Sequence, residues 1–170
     1  RPRLELPNGV PPRLLDPELI TLMSRAGVRS LAIGVESLDE REAEALGRPF
    51  DPAGLADLVR AAHHAGIRVT GYFMIGLPGQ RPPALLRDLP RYGRPGFDQV
   101  HLSVWIPLPG TALGAGHRRS DGRALAAVRN LFYLYHYARP GKLRALLDRE
   151  GWSPALVGKA VRRYLQWLRT

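Results

Sequence analysis

The chain has 170 residues, a formal net charge of +10 and no cysteine. That length suits one domain with a real core rather than two large ones. The missing thiol excludes disulfides, thiolate metal sites and a cysteine nucleophile.

In chain order, Leu4-Glu5-Leu6-Pro7 reads as an opening strand. Asp16-Pro17 gives an N-cap followed by Pro at the first helical position, and the helix it opens places Leu19, Ile20, Leu22 and Met23 on a buried face. Ala26-Gly27-Val28-Arg29 then leads into the apolar run Leu31 to Val35. Ser37-Leu38-Asp39-Glu40 has the form of a capping box and predicts a short helix containing Ala43 and Leu46. Asp51-Pro52 opens a further helix with Leu55, Leu58, Val59 and Ala62 inward. Ala65-Gly66-Ile67-Arg68 repeats the earlier tetrapeptide and leads into Val69 through Ile75-Gly76. Gly27 and Gly66 suit the left-handed conformation that ends a helix. Gly96-Phe97-Asp98 enters a third apolar run, Val100 to Ile106. Runs that are apolar at nearly every position predict parallel strands covered on both faces, and the order β-α-β-α-α-β-α-β predicts right-handed crossovers.

From about Asp121 the pattern is helical. Arg123 to Ala138 spaces Leu125, Val128, Leu131, Phe132 and Tyr135 three and four apart, until Arg139-Pro140-Gly141 breaks it. A short helix is predicted around Leu143 to Leu147. A last one, from Ser153-Pro154, has Val157, Val161, Tyr164 and Leu168 on one face and Lys159, Arg162, Arg163 and Arg169 on the other. Residues 117–170 carry 12 basic and 3 acidic residues, against 13 and 12 in residues 1–116, so nearly all the excess charge lies in this tail. Of the 25 basic residues 23 are Arg, beside abundant Ala, Gly and Pro, so biased coding composition accounts for the charge better than nucleic acid or a membrane surface does. Packing against the preceding domain is the expected role of the last helix. No stretch approaches the roughly 18 apolar residues of a membrane span, and no cleavable signal is visible, so a cytoplasmic protein is expected. The five His are scattered or, at His63 and His64, divergent on one helix, so no metal site is expected. The expected organisation is βα units over residues 1–116 and a basic helical extension over 117–170.

In parallel α/β folds ligands bind beyond the C-terminal ends of the strands. Those ends are Asn8-Gly9, Glu36-Ser37, Ile75-Gly76-Leu77-Pro78-Gly79 and Pro107-Leu108-Pro109-Gly110-Thr111. Glu36 follows five apolar residues, where a carboxylate needs a partner, a helix to cap or a ligand. The Gly-Leu-Pro-Gly turn allows close backbone approach and is expected to leave amides free for a ligand; without a following Gly-Lys-Ser/Thr it is no phosphate loop.

Taken together and in order, Ala26-Gly27-Val28 to Glu36-Ser37, Leu46-Gly47-Arg48, and Ala65-Gly66-Ile67 to Gly79 resemble the second half of a radical S-adenosylmethionine (radical SAM) enzyme. The resemblance covers residues 1–115 and is greatest to the branch often found behind a cobalamin-binding domain, which would then lie upstream. Pro107-x-Pro109-Gly110-Thr111 resembles that branch as well. The resemblance implies a six-stranded partial TIM-type barrel in which a four-iron four-sulfur cluster reduces S-adenosylmethionine to a 5′-deoxyadenosyl radical. It implies that Glu36 hydrogen-bonds the cofactor's ribose and Arg48 the methionine carboxylate, a group suited to a guanidinium fork. It implies that Met74, Ile75 and Gly76 pack on adenine, largely through backbone, and that Ile106 and Pro107 flank it. Arg48 also reads as a solvated helix-end Arg, and Met74 and Ile75 as core. Ser37 could support the ribose contact, but the helix cap is the favoured reading.

One departure is severe. The family's three-Cys cluster motif is absent, since the chain has no Cys, and so is its acidic Gly-rich motif. Four strands do not close a barrel, and the chain begins at Arg1 inside ordered-looking sequence. The expectation is therefore a C-terminal half-barrel, inactive alone, whose upstream half carries the cluster ligands. The rival readings are a cluster-less scaffold or interaction module with a basic helical surface, and a cofactor-free barrel enzyme using Glu36 as a base. The substrate is not readable.

Overall fold

A computed structural model describes residues 2–111, 113–114, 122–139 and 141–142. The chain divides into two compact units, Arg1–His136 and Tyr137–Thr170. The first is described below; the helices expected around Leu143 to Leu147 and from Ser153 onward lie outside the described residues.

Four strands, β1 (Leu4–Val10), β2 (Val28–Glu36), β3 (Arg68–Ile75) and β4 (Gln99–Val104), form one parallel sheet in the order β1-β2-β3-β4. Between them run α1 (Pro17–Ala26), α2 (Glu40–Ala45), α3 (Pro52–His64) and α4 (Pro82–Tyr92), with α5 (Gly122–Tyr137) after β4. The expected element order is thus observed, with an added 3-10 turn at Pro12–Leu14. Two of the expected caps form as read. Asp16 accepts from the Leu19 amide at 2.7 Å, and Asp51 accepts from the Ala53 and Gly54 amides at 2.9 and 3.0 Å. Gly27 and Gly66 both take positive φ where their helices stop.

The core lies on one face of the sheet. Leu31, Ile33 and Val35 of β2, Val69, Phe73 and Ile75 of β3, and Val100 and Leu102 of β4 alternate along their strands. They pack under Ile20 of α1, Leu55 and Val59 of α3, Leu85 and Tyr92 of α4, and Leu125, Val128 and Phe132 of α5. Leu22 departs from expectation: it is exposed, because two residues beyond Ile20 is the far side of the helix.

The opposite face corrects the expectation of strands covered on both sides. No described helix covers it: Tyr72 and Met74 on β3 are half-buried, and His101 and Ser103 on β4 are exposed. Only β2 is buried on nearly every residue, because its positions on that face are the small Ala32 and Gly34. Asn8 and Gly9 also differ from expectation, lying inside β1 rather than in a loop beyond it. Pairing slips between Leu6 and Val10, around Pro7, which has no amide hydrogen for a ladder. On the other edge, the Tyr133 hydroxyl of α5 accepts from the Leu102 amide at 2.9 Å and so occupies part of the free edge of β4. No described helix is long and apolar enough to cross a membrane.

Candidate functional site

At the end of β2 the chain turns within three residues. The Ser37 amide donates to the Val35 carbonyl at 2.8 Å, so Glu36 is the central residue of a γ-turn, and its φ is +65°. Glu36 is the one non-glycine residue with positive φ among the described residues. A side chain held there stores strain of about 1–3 kcal/mol, which clusters at functional sites.

The guanidinium facing Glu36 arrives by a local rule. The Gly47 amide donates to the Glu44 carbonyl and the Arg48 amide to the Ala43 carbonyl, with Gly47 at φ +66°. This is a Schellman stop for α2, and it delivers Arg48 directly after the helix. Arg48 Nη1 lies 3.7 Å from Glu36 Oε1. The floor beneath both is Gly34: a Cβ there would come within 3.3 Å of Glu36 Oε1 and 3.4 Å of Arg48 Nη1. Burial raises the Glu36 pKa above the ordinary glutamate value, and the Arg48 charge opposes that rise. The pair is too long for a hydrogen bond and its Arg side chain is 39% exposed, so it contributes about 0–1 kcal/mol and is readily separated.

Ser37 is not the cap that its sequence pattern predicts. Asp39 caps α2, accepting from the Glu42 amide at 3.1 Å. Ser37 is buried, its hydroxyl donating to Glu42 Oε2 and accepting from the Asp39 amide. The shift has a simple cause: the γ-turn at Glu36 takes two more residues before helical geometry begins.

The β3–α4 turn also differs from its expectation. Two of its amides are not free for a ligand: those of Gly76 and Leu77 both donate to Gln80 Oε1, at 2.8 and 3.2 Å. Gly76 takes φ +82°, and a Cβ there would meet Leu125 Cδ1 at 2.6 Å. Ile75 faces the helices, 1% exposed, and its carbonyl accepts from the Trp105 amide at 2.7 Å. Met74 lies half-buried on the open face, opposite Ser103. Ile106 is exposed and Pro107 half-buried beyond the end of β4.

The candidate residues thus form one direct pair, Glu36 with Arg48, and one relay, Ser37 to Gly76 through Glu42 and Gln80. Among the described residues Ile106 and Pro107 join neither by a hydrogen bond or ion pair. Glu42 and Gln80 are not among the residues singled out from sequence. Glu42 looks like an ordinary helix-surface carboxylate, and only the neutral amide directly after Gly-Leu-Pro-Gly hints at Gln80. Behind the relay, between α2 and α4, is a cavity of about 220 Å³ lined by Ser37, Glu42, Gln80, Asp88, Arg91 and Tyr92. Burial first, then the Glu42 and Asp88 charges, pushes the Tyr92 phenol up to about 12. No cluster of three or more potential metal ligands occurs among the described residues.

Residues 7–88 match the family model described as Radical SAM superfamily. Among curated proteins the chain is similar to an uncharacterized protein of Methanopyrus kandleri, 30% identical over 88 residues, or 50% of this chain and 17% of that protein. It is similar to an uncharacterized methyltransferase of Pyrococcus horikoshii, 26% identical over 91 residues, or 54% and 20%. The chain therefore spans about a fifth of the length of these relatives. Among solved structures it is similar to coproporphyrinogen III oxidase from Escherichia coli, a radical SAM enzyme, with a TM-score of 0.69 at 17% identity, covering 88% of this chain and 38% of that one. A radical S-adenosylmethionine methyltransferase from Kitasatospora setae, solved with cobalamin and a 4Fe-4S cluster bound, gives a TM-score of 0.58 at 22% identity, covering 71% and 25%. Both likenesses show the fold: a parallel four-stranded α/β sheet similar to that of radical SAM barrel enzymes.

Proposed function

We propose, from the radical SAM superfamily domain recognised over residues 7–88, that this chain is the part of a radical SAM enzyme that holds S-adenosylmethionine at the ends of β2 and β3. The observation that carries the reading is the Glu36–Arg48 pair over the Gly34 floor. A ligand with hydroxyls and a carboxylate satisfies both members of this pair at once. Glu36 accepts from the ribose hydroxyls, and Arg48 donates to the methionine carboxylate. Met74 and the backbone at Ile75-Gly76 flank the adenine from β3, and Ile106 and Pro107 flank it from beyond β4. The buried Ser37 hydroxyl, already donating to Glu42, supports the turn rather than the ligand. S-adenosylmethionine held there would supply a carbon-centred radical only with an electron delivered from a cluster whose ligands lie outside these residues.

The cluster does not fit this chain, which has no Cys to ligate it. In this reading the thiolates come from a segment outside these 170 residues, and the chain alone is inactive. The substrate stays open. Placement in the cobalamin-associated branch, and in the cytoplasm, belongs to the same proposal; the branch is supported by the likeness to the cobalamin-bound methyltransferase.

The test is a titration of the isotope-labelled 170-residue chain with S-adenosylmethionine, followed by amide and methyl shifts. The expected result is saturable shifts at Gly34, Glu36, Arg48 and Met74 with a dissociation constant of about 1 mM, cluster contacts being absent. Glu36→Ala and Arg48→Ala should each weaken it about tenfold. Shifts elsewhere only, or none, would leave the chain as a cofactor-free interaction module.

A further inference from the structure

The ends of β2 and β3 must keep a fixed spacing if one ligand is to touch both, yet the sheet stops holding them together there. The register slips between Gly34 and Glu36, and the last recorded pair is Glu36 with Phe73. Beyond that pair no ladder bond joins Ser37 to Met74-Ile75-Gly76. Side chains take over. Gln80 Oε1 accepts from the Gly76 and Leu77 amides, Gln80 Nε2 donates to Glu42 Oε2 at 2.7 Å, and the same oxygen accepts from Ser37 Oγ. Ser37 adjoins the strained turn at Glu36.

The polarity of this relay is over-determined. The two backbone amides can only donate, and Glu42 Oε2 already accepts from the Ser37 hydroxyl and the Gln80 amide nitrogen. The side chain between them must accept at one end and donate at the other, which a primary amide does in one orientation only. A carboxylate at position 80 would set two negative charges against each other, and an alanine would leave two turn amides without a partner. The relay closes a gap of 38 residues in sequence between Gln80 and Glu42.

We infer that Gln80 and Glu42 are positioning residues, a bridge that sets the spacing between the Glu36 turn and the Met74–Gly76 segment. The inference rests on the reading of that site given above, but its core can be tested without ligand. Hydrogen exchange of the Gly76 and Leu77 amides should accelerate about tenfold or more in Gln80→Ala and Gln80→Glu, with the Val69 and Phe73 amides unchanged. The paired swap Gln80→Glu with Glu42→Gln reverses the polarity. The carboxylate at 80 accepts from the two backbone amides, and the amide nitrogen at 42 has two hydrogens, for that carboxylate and for Ser37 Oγ. Exchange should return to the wild-type rate.

The dissociation constant for S-adenosylmethionine should follow the same pattern, about tenfold weaker in each single variant and within about threefold of wild type in the swap. Unchanged exchange in Gln80→Ala overturns the bridge. Restored melting temperature in the swap without restored affinity overturns the positioning role. A wild-type chain that binds no S-adenosylmethionine, while exchange behaves as expected, overturns the site reading and leaves the bridge standing.

Discussion

At the scale of single residues, Glu36 is held against its own preference. A φ of +65° disfavours every side chain with a Cβ, and burial disfavours the carboxylate's charge. The two penalties can be separated. Glu36→Gly removes the steric one and Glu36→Ala keeps it, so the glycine variant should be the more stable of the two by about 1 kcal/mol, read from urea midpoints. This ordering reverses the usual rule for a strand end and is specific to positive φ. The charge penalty gives a pH dependence. Burial raises the folded pKa of Glu36 above its unfolded value, against the pull of Arg48. The protonated carboxyl therefore contributes stability below the ordinary value of 4.5, and that contribution fades as pH rises through the higher folded value. Glu36→Gln, which cannot ionise, should gain on wild type as pH rises from about 4 to 7, measured by denaturation at each pH. A gap that stays constant or narrows would count against a desolvated carboxylate.

Among the elements, the two ends of the sheet serve different ends. At the N-terminal end Asp98 ties three elements together. Its Oδ2 accepts from the Val69 amide at 2.8 Å and lies 2.9 Å from His63 Nε2, and its own amide donates to the Val69 carbonyl at 2.9 Å. Asp98→Ala strips the start of β3 of a side-chain partner and releases the last turn of α3. It should cost about 1–3 kcal/mol of stability in calorimetric melting, with the amide shifts of Glu36 and Arg48 unmoved. At the C-terminal end the ladder is irregular and side chains replace it. Helix boundaries were legible wherever the cap is a local event. Asp16-Pro17, Asp51-Pro52 and the stops at Gly27 and Gly66 all act within one turn, whereas the stop at Gly47 did not stand out in the sequence. The start of α2 lies two residues beyond where the pattern puts it, since Ser37-x-x-Glu40 has the form of a capping box and the Glu36 turn leaves no mark in the pattern.

At the scale of the first unit, the described residues form four parallel strands with their helices on one side, and no described helix covers the other face, which carries Ala32, Gly34, Tyr72, Met74, His101 and Ser103. Residue sequence determined the element order, the caps, the helix-facing half of the core and Glu36 as a carboxylate in need of company, because periodicity, capping chemistry and burial cost are local quantities. The tertiary structure alone decided that Glu36 meets Arg48 over Gly34, that Gln80 and Glu42 join the ends of two strands, and that no described helix covers one face of β3 and β4. Each of these depends on which residues the crossovers bring together, and contacts between residues 12 or 38 positions apart leave no periodic trace in a sequence.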